Sequence, residues 1–349
     1  MEDFSVLINV CNEEERLPMV VGSIRKFFDG DIVVADCNSS DSTVRVAIDL
    51  GCTVAQLGHD FLVPFTADDI KMANAYFGET IITEESKAFE FGPARNKAVS
   101  FTRHNYVLNI DAGDTIEHMD CNAIKCLLKP GCIFAYTHYL TDTGSHNQVA
   151  VRFFDKRVWH YIGKVHEYVE RKPGSDVCHR YTLPESVLRI RNRKKLHTAR
   201  PHNYLYGLCK DVQLCKNTRW CHYLGRELYY KKHWSAAIRV FEDGVALPGG
   251  WDSEKCQSLC FIGECWLHLN NIEKSVVAFT RALGYDASRR EPWLQLAKLY
   301  QRKGNVAATR GFTYAAIAFP KIIGLYENDH NYSTIPEKLL KWCGDQSSS

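Results

Sequence analysis

No stretch of this 349-residue chain approaches the roughly 18 consecutive apolar residues that a membrane-crossing helix needs, so no membrane span is expected. The opening MEDFSVLINVCNEEERLP also lacks the basic head and longer apolar run of a secretory signal, and the chain reads as cytoplasmic. Charge of one sign is missing too. Lys and Arg number 43 against 41 Asp and Glu, and a net charge of +2 is too small to make nucleic acid the main partner. No G-x-G-x-x-G follows the first apolar run and no G-x-x-x-x-G-K-[ST] occurs, which disfavours a dinucleotide oxidoreductase and a P-loop ATPase. Cysteine is plentiful, at 14, but no two are spaced C-x-x-C. Scattered thiols without a secretory signal read as buried and reduced rather than as a disulfide frame. The tightest group, Cys256, Cys260 and Cys265 with His268 nearby, falls in a helical pattern, where core packing is favoured over zinc.

What is present is an alternation. Residues 4–10 form a short apolar run and are followed by a helix-like stretch over 13–28. Residues 31–36 repeat the pattern, with Ser39, Ser40 and Asp41 supplying a turn before a helix over 43–50. A short strand is expected at 52–56, a helix at 93–102 with Pro93 in its first turn, and a buried strand at 105–110 that ends on Asp111. Strands alternating with helices imply a mainly parallel sheet covered on both faces, with ligands at its carboxyl edge. Residues 58–92 are less regular and read as an insertion or mobile loop over that edge. From Tyr204 the pattern becomes helical throughout. Leu224-Gly225, Ala237 and Phe241 recur as Ile262-Gly263, Ser275 and Phe279, an offset of 38, and Gly263 to Ala297 is 34, the tetratricopeptide period. Three domains of organisation follow: an α/β catalytic domain over 1–203, tetratricopeptide-like repeats over 204–335 and a flexible tail over 336–349.

The motifs Val-Leu-Ile-Asn-Val-Cys-Asn-Glu-Glu-Glu, Ile-Val-Val-Ala-Asp36-Cys-Asn-Ser-Ser-Asp41, Ala94-Arg95-Asn96, Asp111-Ala-Gly-Asp114, Gln148-x-x-x-Arg152 and Gly163-Lys-Val-His166-Glu167 stand in one order along the chain. In that order the sequence resembles family 2 glycosyltransferases with carboxyl-terminal tetratricopeptide repeats, over residues 4 to about 320. The resemblance implies a GT-A-type nucleotide-sugar-binding domain and an inverting transfer of a sugar, from a UDP-sugar or similar donor, to an acceptor nucleophile with Mn²⁺ or Mg²⁺. It places Asn12, Glu13, Asp36, Arg95, Asp111 and Arg152 at the donor, with Asp36 accepting from base or ribose. The same assignment puts Asp111, Asp114, His166 and His197 around the metal and makes Glu167 the base that deprotonates the acceptor. The family pattern Asp-x-Asp is broken here, because Gly113 stands where the second Asp belongs and Asp114 follows it.

Read from the residues alone, each of these has a plainer role. Asp36 can cap the turn after its strand, Glu13 can be a first-turn helix charge, and Arg95 can form a salt bridge. Asp111 ends a buried strand, where a carboxylate must be hydrated, paired or metal-bound. Asp142 and Asp155 are alternative bases to Glu167. Six cationic residues between Arg189 and Arg200, with alternation at Leu188-Arg-Ile-Arg, suggest a strand with one cationic face. The alternative to an enzyme is a scaffold with a decayed catalytic domain, binding protein partners or a second copy of itself through the helical repeats.

Overall fold

The computed structural model describes residues 3–140, 147–175, 178–193, 204–214, 216–320 and 331–347. The chain divides into two compact units, one formed by Met1–Val63 with Lys87–Tyr204 and the other by Pro64–Ser86 with Leu205–Ser349. The architecture is mixed α/β in the first and helical in the second. In chain order the elements are β1 (Phe4–Val10), α1 (Leu17–Arg25), β2 (Ile32–Asp36), α2 (Thr43–Asp49), β3 (Thr53–Gln56), β4 (Leu62–Phe65), α3 (Ala67–Phe77), β5 (Ser86–Phe89) and α4 (Phe91–Ser100). There follow β6 (Tyr106–Asp111), β7 (Asp114–Met119), α5 (Cys121–Leu127), β8 (Cys132–Tyr139), β9 (Asn147–Asp155), β10 (Trp159–Ile162), β11 (Tyr168–Arg171), β12 (His179–Leu183) and β13 (Leu188–Asn192). The helices α6 (Tyr204–Leu214), α7 (Thr218–Tyr230), α8 (Trp234–Ala246), α9 (Asp252–His268), α10 (Ile272–Tyr285), α11 (Arg290–Arg302), α12 (Val306–Ala318) and α13 (Thr334–Ser347) complete the chain.

A nine-stranded sheet runs β3-β2-β1-β6-β9-β8-β13-β7, with β12 beside β8. Its first four strands are parallel, as the β-α-β alternation predicts. The sheet as a whole is mixed rather than mainly parallel, since β9 lies antiparallel between β6 and β8, and β7 antiparallel to β13. Side chains alternate across it. Phe4, Val6, Ile8 and Val10 of β1 join Leu17, Val20 and Ile24 of α1 in one core, whereas Leu7 joins Ala94 and Ala98 of α4 and Trp159 of β10 on the other face. Burial on both faces is why these strands read as continuous apolar runs. Helix α1 starts at Leu17 rather than near 13, with Pro18 in its first turn. Residues 12–14 are instead bonded to the turn after β2.

The helical unit consists of three hairpins, α7 with α8, α9 with α10 and α11 with α12, followed by α13 against α12 and α11. Its repeat has a packing cause. A Cβ on Gly225 would stand 2.6 Å from the Phe241 ring, and one on Gly263 would stand 2.5 Å from that of Phe279. Each first helix therefore yields room to a phenylalanine on the second. Thirty-four residues after Gly263 and Phe279, Ala297 and Thr313 are both fully buried, so the larger small residue is matched with a smaller partner. Residues 64–86, read as part of an insertion over the sheet edge, belong to this helical unit. Helix α3 is set by a capping box between Thr66 and Asp69 and ended by Gly78 in the left-handed region, φ 73°. Residues 336–349, expected as a flexible tail, are helical to Ser347 because Leu339 packs with Leu294, Ala297 and Ala316.

Candidate functional site

Strands β1, β2 and β6 end together, with Val10 opposite Asp36 and Asn9 opposite Asp111. The turns beyond β1 and β2 are laced to one another. Asn12, at φ 55°, accepts the Ser40 N–H on Oδ1 at 2.7 Å, and its own N–H donates to Ser39 Oγ at 2.8 Å. The Glu13 N–H donates to Thr43 Oγ1 at 2.7 Å, and the Glu13 carboxylate pairs with Arg16 at 3.2 Å. Asp36 is buried and accepts the Ser39 N–H at 3.2 Å, the capping role that its position at a strand end also allowed. The three residues are brought together as expected, with these polar contacts made to the chain itself.

Helix α4 brings the decisive side chain. Gly92 touches the turn after β10 so closely that a Cβ would lie 2.0 Å from the Gly163 carbonyl oxygen. One turn on, Asn96 grips the backbone of Tyr161 from both sides, donating to its carbonyl and accepting its N–H at 2.8 Å each. Between these anchors Arg95 is buried, and its guanidinium is shared among three elements. Nη2 donates to Asp111 Oδ1 at 2.7 Å, Nη1 to Asn109 Oδ1 at 2.7 Å and Nε to Glu167 Oε1 at 2.6 Å. Arg152 Nη1 donates to the other Asp111 oxygen at 2.5 Å. Tyr161 lies 5.6 Å from the Arg95 guanidinium, and its buried hydroxyl has no hydrogen-bond partner.

Two guanidiniums face two carboxylates, so the cluster carries no net charge. Burial pushes the Asp111 carboxyl up, but Arg152 and Arg95 outweigh it and hold the group well below the usual carboxylate range. The Arg152 guanidinium is held charged chiefly by Asp111, and the Tyr161 phenol is pushed up to about 12 by burial. A cation at Asp111 would have to displace a guanidinium, whereas an anion would compete with Asp111 and Glu167 for the two arginines. Asn109 and Tyr161 were not singled out from sequence. The signal for Asn109 was a lone amide in the middle of an apolar strand, where a polar group needs a buried partner.

The residues expected around a metal do not converge. Asp114 is buried in a structural net, bonded to His138 Nε2 at 3.0 Å, to Asn192 Nδ2 at 2.8 Å and to the Asp111 N–H at 3.0 Å. His166 sits in the left-handed region at φ 51° with its ring edge-on to Tyr204, 4.9 Å between centroids. His197 and Asp142 lie outside the described residues. Among the described residues no group of three or more His, Cys, Asp or Glu side chains is placed to hold a metal ion, and Cys256, Cys260 and Cys265 are buried in α9. Of the alternative bases, Asp155 is fully buried and bonded to the Gly131 N–H and to Arg157. The cationic strand is real: Arg189, Arg191 and Arg193 of the β13 stretch all reach Glu117, at 3.3, 2.5 and 3.0 Å.

No family model matches the chain, and no curated protein does. Among solved structures it is similar to the type III secretion chaperone SycD of Yersinia enterocolitica in complex with a peptide of the translocator YopD, at 15% identity over 37% of this chain and 93% of that one, TM-score 0.31. PcrH of Pseudomonas aeruginosa covers 37% of this chain and 89% of its own at 13% identity, TM-score 0.29. MamA covers 42% and 88% at 14% identity, TM-score 0.31. These are helical-repeat proteins and not glycosyltransferases, which corrects the family resemblance drawn from the motifs and, with it, the nucleotide-sugar donor and the GT-A assignment. The physical reason lies in the motifs themselves. Asn12, Asp36, Asn96 and Asp114 each serve a turn, a staple or a buried net within this chain, so their presence in order does not require a bound sugar nucleotide. Among the described residues no helix is long and apolar enough to cross a membrane.

Proposed function

We propose that this chain is a protein-binding scaffold whose helical unit holds a polypeptide partner. The observation that carries the reading is a polar ladder across the first helices of the three hairpins. Glu264 of α9 accepts from Tyr229 of α7 at 2.6 Å and from Gln295 of α11 at 2.7 Å, so these helices lie side by side. Lys298, one turn beyond Gln295, is pulled down by burial while Glu264 acts to raise it, which puts a cation on the same face. Carboxylate, amide and ammonium groups on adjacent rods suit an extended peptide, whose backbone and acidic side chains need both donors and acceptors. A photo-crosslinking residue at position 298 should capture a discrete partner, and the same residue at the exposed Thr280 of α10 should not. Equal capture at both positions, or capture of a second copy alone, would discard this reading in favour of general stickiness or a homodimer.

We propose a second reading for the α/β unit on the strength of the Arg95 cluster: chemistry on a bound anion, with Glu167 as base. An anion that draws Arg95 and Arg152 away would release Glu167, and a general base contributes typically about 10²–10⁴-fold. The donor groups do not fit a divalent cation in this arrangement, so no step is routed through one. Inorganic pyrophosphate, alone and with Mn²⁺ or Mg²⁺, should raise the melting temperature of the wild-type chain and not of Arg152→Met. A wild-type chain that shows no shift under any of these conditions has no anion site there.

A further inference from the structure

Within the helical unit, α3, α6 and α7 enclose a cavity of about 260 Å³. Ala73, Tyr76 and Phe77 of α3, Cys209 and Val212 of α6, and Leu224 of α7 form its walls, nearly all of them apolar and buried. Its mouth is polar: Gln213 and Lys216 are exposed, and Lys216 pairs with Asp243 at 2.7 Å while lying 4.6 Å from the centre of the Tyr76 ring. The volume decides what fits. Engineered apolar cavities of about 150 Å³ stay dry and take up benzene, and drug-sized pockets start near about 300 Å³. A space between those limits suits one or two rings.

A second observation points the same way. The Tyr76 hydroxyl is buried against this cavity and makes no hydrogen bond of normal geometry, although Asp243 and Cys221 stand near it. Asp243 directs Oδ2 to Lys216, and burial keeps the phenol protonated, so an O–H donor is left facing a largely apolar space. Leaving such a donor unpaired costs about 1–3 kcal/mol of lost solvation, which an acceptor on a bound molecule would recover. We infer that the cavity between α3, α6 and α7 binds a small, mainly apolar molecule of one or two rings with one hydrogen-bond acceptor, for which the Tyr76 hydroxyl is the donor. This site is separate from the peptide face and does not depend on it.

Quinoline, two rings with one acceptor nitrogen, is the probe. Added to the full-length chain at about ten times its Kd, it should raise the melting temperature of the helical unit by roughly 3–6 °C. Ala73→Leu fills the cavity from α3 and should abolish the shift; Val212→Phe fills it from α6 and serves if the first variant does not fold. Tyr76→Phe should weaken quinoline binding by roughly tenfold. No shift in the wild-type chain at millimolar quinoline, or an undiminished shift in a folded filled variant, overturns the site. Unchanged affinity in Tyr76→Phe overturns the role of the hydroxyl.

Discussion

A guanidinium that leaves water to sit among protein groups loses several kcal/mol of hydration, and it is retained only where charged partners surround it. Arg95 meets that condition with Asp111, Glu167 and Asn109, and Arg152 completes the balance from β9. The consequence is a dependence on pH. A carboxyl held low in the folded chain takes up its proton in more acid solution than it does unfolded, where its pKa is about 3.9. Asp111 therefore adds stability above about pH 4, and that contribution is lost as pH falls toward its depressed folded value. Arg152→Met removes the strongest opposing charge and leaves burial to push the carboxyl up. We expect the acid unfolding midpoint of the α/β unit to move to higher pH in this variant. Trp159, buried in that unit, reports the transition through 5-fluorotryptophan NMR, and an unchanged midpoint would mean that Arg152 is screened by solvent.

Between helices, steric fit rather than charge sets the spacing. Gly225 on α7 and Phe241 on α8 are one such fit, and Gly263 with Phe279 repeats it one hairpin later. Gly225→Ala would drive a methyl group to 2.6 Å from the Phe241 ring, closer than real Cβ contacts come. The cost should be about 1–3 kcal/mol despite the better helix propensity of alanine, because the core has no slack. Adding Phe241→Leu should recover most of it, which chemical denaturation of the single and double variants measures. Were the two effects merely additive, the glycine would have a cause other than Phe241. Capping follows the same logic. Helix α13 closes the stack by placing Leu339 over Leu294, Ala297 and Ala316, as a terminal element of a repeat array must.

For the whole molecule, the helical unit is not continuous in the chain. Phe65 stacks on Tyr206 with 4.8 Å between centroids, Asp69 bonds Lys210 at 2.8 Å, and Ala73 and Phe77 are buried, all through a segment that interrupts the α/β unit in sequence. A chain cut to residues 205–349 should thus melt well below the same helices in the full-length protein, and adding a peptide of residues 64–86 should raise its melting temperature. Independence of that peptide would show that α3 is dispensable. Much of this architecture could be read beforehand. Continuous β-branched and apolar runs marked β1, β2 and β6 because strands buried on both faces tolerate little else, and the Gly-Phe offset of 38 marked the hairpins because each must leave the same gap. Carboxylates at strand ends marked the edge where Asp36 and Asp111 gather. The partners of those carboxylates could not be read, since Arg95, Asn109, Arg152 and Glu167 come from four segments up to 72 residues apart and meet only when α4 docks on the turn after β10. Local sequence determined which stretches were strand and which were helix, because periodic burial acts within a few residues. Only the folded chain decided which unit α3 joined and that Asp111 is paired with arginine, because burial and Coulomb energies are summed over neighbours in space rather than in sequence.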